Sequence, residues 1–254
     1  MSYKINAVSA GKSQTLALLA SGDVLGWGGA GSGRYTPDNI DICSTRNTKQ
    51  EPIYVGQALR FSKVSAGYGV SLGVSDRHEL LIWGFSPMGT VKGQGLSEIP
   101  TAIEQIRSPT HVTAGQSCFA AIDQAYLLHT WGLNVDGVLG RNTAQINALP
   151  GIVDGLPPAQ AVELGDNFMI VLSRQGEVFS FGSNSAGQLG LGHLKSMSTP
   201  QPVKLPRPVQ KVAVGATHVL ALDTDGSLMA WGSNQFGQLG NSQSRYSETP
   251  VSIK

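Results

Sequence analysis

The chain has 254 residues, 18 Lys and Arg against 17 Asp and Glu, and a net charge of +1. No basic run exceeds two residues, so the electrostatic footprint of a nucleic-acid binder is missing. Only 14% of residues are charged while 32 are glycine, a balance that suits short strands and tight turns rather than long surface helices.

One pattern is written five times. Copies begin at Val8, Val64, Val112, Val162 and Val212. Each carries a glycine step at Gly11, Gly67, Gly115, Gly165 or Gly215, and an aromatic-Gly step 17 residues later ends at Gly28, Gly84, Gly132, Gly182 or Gly232. A proline follows at Pro52, Pro100, Pro150, Pro200 or Pro250. A repeat of 40 to 50 residues marks propellers and solenoids, in which one unit buries its apolar face only by stacking on neighbours. The repeat bounds are approximately 8–63, 64–111, 112–161, 162–211 and 212–254, with 1–7 joining the last, within a single domain of 1–254.

Taken in chain order, Met1 to Val8 has no basic stretch followed by an apolar one, so no secretory signal peptide is expected. No apolar run approaches the length of a membrane span. Within a copy, residues alternate as strands do. In the last, Gln210 to Val214 reads as strand one and His218 to Asp223 as strand two. Thr224-Asp225-Gly226 makes a tight turn, and Ser227 to Trp231 returns as strand three. The segment after the proline, as in Gln201 to Leu205, reads as strand four. The expected fold is all-β: a β-propeller of five four-stranded blades.

From each of the first four prolines to the next glycine step is 15 residues. The four residues after Pro250 and the eleven up to Gly11 make the same interval, so the chain is expected to close by pairing N- and C-terminal strands, with Tyr3 to Val8 and Val251 to Ile253 in one blade. An open five-repeat arc or a longer parent protein fits the same repeats.

Cys43 and Cys118 lie in different repeats and no C-x-x-C is present, which points to free thiols in a reducing compartment, cytoplasmic or nuclear. The five histidines show no metal-ligand spacing, and no catalytic constellation for bond breaking is visible; no cofactor is expected. Gly29-Ala30-Gly31-Ser32-Gly33 and Gly11-Lys12-Ser13 echo nucleotide-binding strings but lack the helix and the leading glycine those need. Trp27, Trp83, Trp131 and Trp231, with Phe181, read as blade-packing residues.

The strings Phe181-Gly-Ser-Asn-Ser-Ala-Gly-Gln-Leu-Gly and Trp231-Gly-Ser-Asn-Gln-Phe-Gly-Gln-Leu-Gly resemble the regulator of chromosome condensation repeat family. Repeat three keeps Trp131-Gly132-Leu133-Asn134, repeat one only Trp27-Gly28, and repeat two lacks the Asn. The family's members usually carry seven blades. Its best-known member is a guanine nucleotide exchange factor for the small GTPase Ran; related propellers are interaction domains, inhibitors and bacterial effectors that act on host GTPases. The resemblance therefore implies a protein-binding propeller and, more concretely, a small-GTPase regulator. An effector of that kind would reach the host cell without a classical signal peptide. The alternative is an interaction or inhibitor module without exchange activity. A protein partner and a monomeric chain are expected.

In an up-and-down blade the loops after strands one and three share one end. The position three after each glycine step, often His in the family, holds Gln14, Val70, Cys118, Phe168 and His218. The resemblance makes His218 and Asp166 candidates for partner contact; the plainer readings are a packed strand residue and a capping carboxylate. Gly28 to Pro52 spans 24 residues against 18 in repeats three to five, and this insert carries Arg34, Tyr35 and Asp38, with Arg and Tyr favoured at interface hot spots. By analogy with a wedge loop of the exchange factor, these three are candidates too.

Overall fold

A computed structural model of the chain describes residues 3–29, 49–56, 58–84, 99–143, 147–241 and 244–253, with 49 and 50 as backbone only. Among the described residues, twenty strands make five four-stranded antiparallel sheets. The first holds β1 (Ile5–Ala10), β2 (Gln14–Leu19), β3 (Val24–Gly28) and β4 (Lys49–Val55). The second holds β5 (Phe61–Ala66), β6 (Val70–Ser75), β7 (Glu79–Gly84) and β8 (Thr101–Arg107). The third holds β9 (Pro109–Ala114), β10 (Cys118–Asp123), β11 (Leu128–Leu133) and β12 (Asn147–Ile152). The fourth holds β13 (Ala159–Leu164), β14 (Phe168–Ser173), β15 (Val178–Gly182) and β16 (Met197–Pro202). The fifth holds β17 (Val209–Val214), β18 (His218–Asp223), β19 (Leu228–Ser233) and β20 (Tyr246–Ser252). In every sheet, strands adjacent in sequence are adjacent in space. The loops after strands one and three therefore share one end of each sheet, as expected.

The terminal pairing expected from the 15-residue interval is not found. Ile5–Ala10 belongs to the first sheet and Tyr246–Ser252 to the fifth. Each sheet takes four consecutive strands, so the equal spacing reflects one shared repeat length and no shared blade.

Strand four differs from its expected place in four sheets: β4, β12, β16 and β20 straddle Pro52, Pro150, Pro200 and Pro250, whereas β8 follows Pro100 as expected. Ala230 pairs Val251 and Gly232 pairs Ser247, so one residue of β19, Trp231, faces three of β20, among them Pro250. A bulge on an edge strand is where a residue without an N–H does no harm to the ladder.

The chain divides into two compact units, Met1–Gln124 and Ala125–Lys254. In the first unit, Leu16, Leu18, Val24 and Val55 of sheet one pack on Phe61, Ala66, Leu81 and Trp83 of sheet two. The Phe61 and Trp83 rings lie 5.6 Å apart at a 53° tilt, a favoured aromatic geometry. In the second unit, Phe168, Ile170, Leu172 and Val178 of sheet four meet Val209, Val212, Val219, Ala221 and Trp231 of sheet five. The strand-three aromatic is the anchor. Trp231 is fully buried, and its Nε1–H donates to the Gln188 carbonyl at 3.0 Å. Large aromatic area filling the space between sheets explains why the repeat keeps an aromatic here; Phe181, which has no N–H, serves as well.

Candidate protein-binding surface

The end of each sheet that carries loops one and three is built from the glycine step. In the second unit the Asp166 N–H donates to the Ala216 carbonyl at 2.8 Å, tying the step of sheet four to that of sheet five. In the first unit the Lys12 N–H donates to Gly67 O and the Tyr68 N–H to Gly115 O, each at 3.2 Å. In sheets four and five the glycine itself is required by the side chain three residues on, and in sheets one and two by the carbonyl of the next sheet's step. A Cβ at Gly215 would collide with the His218 ring, and one at Gly165 with the Phe168 ring. His218 is thus a half-buried residue packed on its own loop, and burial pushes its imidazole below the ordinary histidine range. The packing part of the plainer reading is correct. The tie through Ala216 still brings Asp166, half-buried, to the same end of the same unit as His218.

Loop three begins beside loop one. The Ser233 N–H donates to the Thr217 carbonyl at 2.8 Å, and Gly232, at φ 96°, makes the bend that allows it. The Asn of the repeat motif then knits the connection. Asn234 Oδ1 accepts from the Leu239 N–H at 3.0 Å while its Nδ2 donates to the Asn241 and Ser244 carbonyls at 3.0 and 2.8 Å. Asn184 does the same through Leu189, His193 and Lys195. Gln238 Oε1 accepts from the Phe236 N–H at 2.9 Å, as Gln188 Oε1 does from Ala186 at 2.8 Å. Asn and Gln in the motif are therefore structural staples.

What the staple presents is Phe236, 92% exposed, where the preceding repeat has Ala186. A naked aromatic on a hydrogen-bonded turn has the character of an interface anchor. Sequence reasoning passed over it; the signal was an aromatic replacing a small residue at a turn position of an otherwise matching motif. At the equivalent end of the first unit Lys12 Nζ sits 5.0 Å from the Tyr68 ring centroid, a pairing the sequence does not reveal. Arg34, Tyr35, Asp38 and Cys43 lie outside the described residues. Cys118 is a buried free thiol whose pKa burial pushes up to about 12. Among the described residues, no three His, Cys, Asp or Glu side chains gather as a metal site, and no helix is long and apolar enough to cross a membrane.

Comparison with known proteins agrees with the repeats. Two profiles of the regulator of chromosome condensation (RCC1) repeat match, one at residues 175–222 and 225–254, the other at 159–188 and 209–238. An RCC1-like G exchanging factor-like protein of Mus musculus is 35% identical over 180 residues, 63% of this chain. The chain spans 36% of the length of that relative. Among solved structures, human WBSCR16 superposes with a TM-score of 0.84 at 22% identity, covering 98% of this chain and 67% of its own. Prp20p of Saccharomyces cerevisiae gives 0.84 at 19% identity, covering 98% and 65%. Residues 159–254 thus carry repeats of the regulator of chromosome condensation family, and the five sheets share that family's β-propeller fold.

Proposed function

We propose that the chain is a protein-binding propeller that regulates a small GTPase of the Ran kind. The observation that carries this reading is the joined end of sheets four and five. There the Asp166–Ala216 hydrogen bond holds an acidic residue and His218 at one end of the two sheets, and loop three at that same end carries the exposed Phe236. The mouse relative is named as an RCC1-like G exchanging factor-like protein, and the Prp20p structure was described together with its binding to Gsp1p and histones. Exchange needs no bond-breaking groups. It needs a surface that binds the nucleotide-free GTPase more tightly than the loaded one, because a ligand shifts an equilibrium only by its differential affinity. Arg34, Tyr35 and Asp38 of the repeat-one insert are proposed as further contacts of this kind. The free thiol of Cys118 supports action in a reducing compartment, cytoplasm or nucleus. One version of this reading is a bacterial effector acting on a host GTPase.

The test is release of a fluorescent guanine nucleotide from a panel of small GTPases. Accelerated release from a Ran-type GTPase, slowed about tenfold by Asp166→Ala with His218→Ala, supports exchange; tenfold corresponds to about 1.4 kcal/mol. Tight binding without accelerated release supports the second reading, a plain interaction module. That reading is favoured by one specific observation: four of the five positions where the family often has His hold Gln14, Val70, Cys118 and Phe168.

A further inference from the structure

Repeat two departs from the others at the turn between its second and third strands and at the connection that follows. In sheets one, four and five that turn places Gly22, Gly176 and Gly226 at φ 85, 83 and 83°. Sheet two has His78 there, at φ 61°. In sheets one, three and four the carbonyl of this turn residue accepts from the N–H that opens the next strand one. Phe61 donates to Gly22 at 2.7 Å, Ala159 to Tyr126 at 2.9 Å and Val209 to Gly176 at 2.8 Å. After sheet two that place belongs to Pro109, which has no N–H to give. Ser108 before it takes φ 48°, and the connection turns back on its own sheet, with Arg107 pairing Glu79. Since Ala102 pairs Leu81, Leu80 alone faces Ile103 to Ile106, and β8 bows at this bulge.

The bow opens a cavity of about 470 Å³. Its floor is Leu80, Ile103 and Ile106, all buried, and its rim carries the exposed side chains of Arg77, His78 and Arg107. His78 and Ser108, the two residues held in the left-handed region, both line it, and non-glycine residues in that region gather at ligand sites. Arg107 stands seven residues after its repeat proline, as Arg207 does. Arg207 is held by Asp223 and Asp225 at 3.5 and 2.8 Å, and Arg60 by Asp23 at 2.7 Å. Repeat three has Ala125 in the place of Asp225. Among the described residues, neither Arg77 nor Arg107 forms an ion pair. Two carboxylates share the rim: Glu79, whose Oε2 accepts from Ser75 Oγ at 3.3 Å, and Glu104 on the bow. The turn end of the cavity is therefore its cationic end.

We propose that this cavity binds an acidic peptide segment of a partner protein, with a carboxylate between Arg77 and Arg107 and an apolar side chain over the floor. Guanidinium forks match carboxylates in geometry as well as in charge. The volume is that of a small-ligand site and exceeds what one carboxylate fills, and the apolar floor suits the side chain beside it. This inference does not depend on the GTPase reading, because the cavity lies at the turn end of sheet two, away from loops one and three.

The experiment titrates the full chain with a terminally blocked Leu-Asp-Glu-Leu peptide and follows the backbone amide NMR signals of residues 77–79 and 102–107. These should shift saturably. The matching Leu-Asn-Gln-Leu peptide should bind the parent about tenfold more weakly, and Arg77→Gln with Arg107→Gln should lose about tenfold for the acidic peptide. Glu104→Gln, an exposed change that removes a like charge, should tighten binding about threefold. It reads the same site in the opposite direction should the double variant not fold. Shifts absent from these amides, equal binding of the two peptides, or an affinity indifferent to both the arginines and Glu104 overturns the proposal. Inorganic phosphate that shifts the same amides at concentrations as low as the peptide's would show a small-anion site and overturn the peptide assignment.

Discussion

The residue three positions after the repeat glycine is buried or half-buried in every sheet, and its chemistry follows from that burial. Cys118 is enclosed, with its thiol pushed up to about 12, so almost no thiolate forms at neutral pH. Iodoacetamide should leave Cys118 unmodified in the native protein and label it rapidly in denaturant, read by peptide mass mapping; fast native labelling contradicts the placement. His218 occupies the same position in the fifth repeat and is held below its ordinary range. As pH falls through about 6.5 the unfolded chain takes up a proton that the folded ring refuses until a lower pH. Stability from this site is thus complete above about 6.5 and is lost as pH falls through the depressed folded value. His218→Phe places here the residue that repeat four uses and should lose less melting temperature than the parent between about pH 7.5 and about pH 5. Equal losses in both proteins would show that His218 is not desolvated.

At the scale of the element, the aromatic step and the asparagine staple set the stability of a sheet and its connection. Trp231→Ala removes a fully buried indole and leaves the Gln188 carbonyl without its donor, and should cost about 3–5 kcal/mol in denaturant unfolding. An unfolding midpoint equal to the parent's would remove Trp231 from its anchoring role. Asn234→Ala strips the Leu239 N–H and the Asn241 and Ser244 carbonyls of partners and should cost about 1–3 kcal/mol. Its connection should also show faster amide exchange than that around Asn184, which keeps its staple. These elements were legible in the sequence because each is written several times: the span His218–Asp223 was read correctly from its alternation and its turn. Strand four was read too late in every sheet but the second, where β8 does follow Pro100. The proline looks like a boundary, and only the register shows that it rides on a bulge opposite Trp231.

For the molecule as a whole, periodicity revealed five sheets but could not say which strands complete a sheet. Equal spacing across the chain ends arises whether β1 and β20 share a sheet or, as here, do not. The candidate surface was legible in part. Asp166 and His218 were named as candidates from the family resemblance, but the bond that brings their loops together joins Asp166 to Ala216, a residue with no chemical signature. Phe236 was hidden because its neighbours in the motif drew the eye to Gln and Leu, which prove structural. The most direct test of the central claim is a binding titration of a Ran-type GTPase, in its nucleotide-free form, against two folded double variants. One carries Asp166→Ala with Phe236→Ala at the loop-three end of the second unit. The other carries Arg174→Ala with Tyr126→Ala, a stacked pair on the opposite turns, the Arg174 guanidinium 4.2 Å over the Tyr126 ring. The account predicts that the first variant loses about thirtyfold or more in affinity, as truncated hot spots do, while the second binds like the parent. Loss confined to the second variant would place the partner on the other end of the sheets and contradict the account.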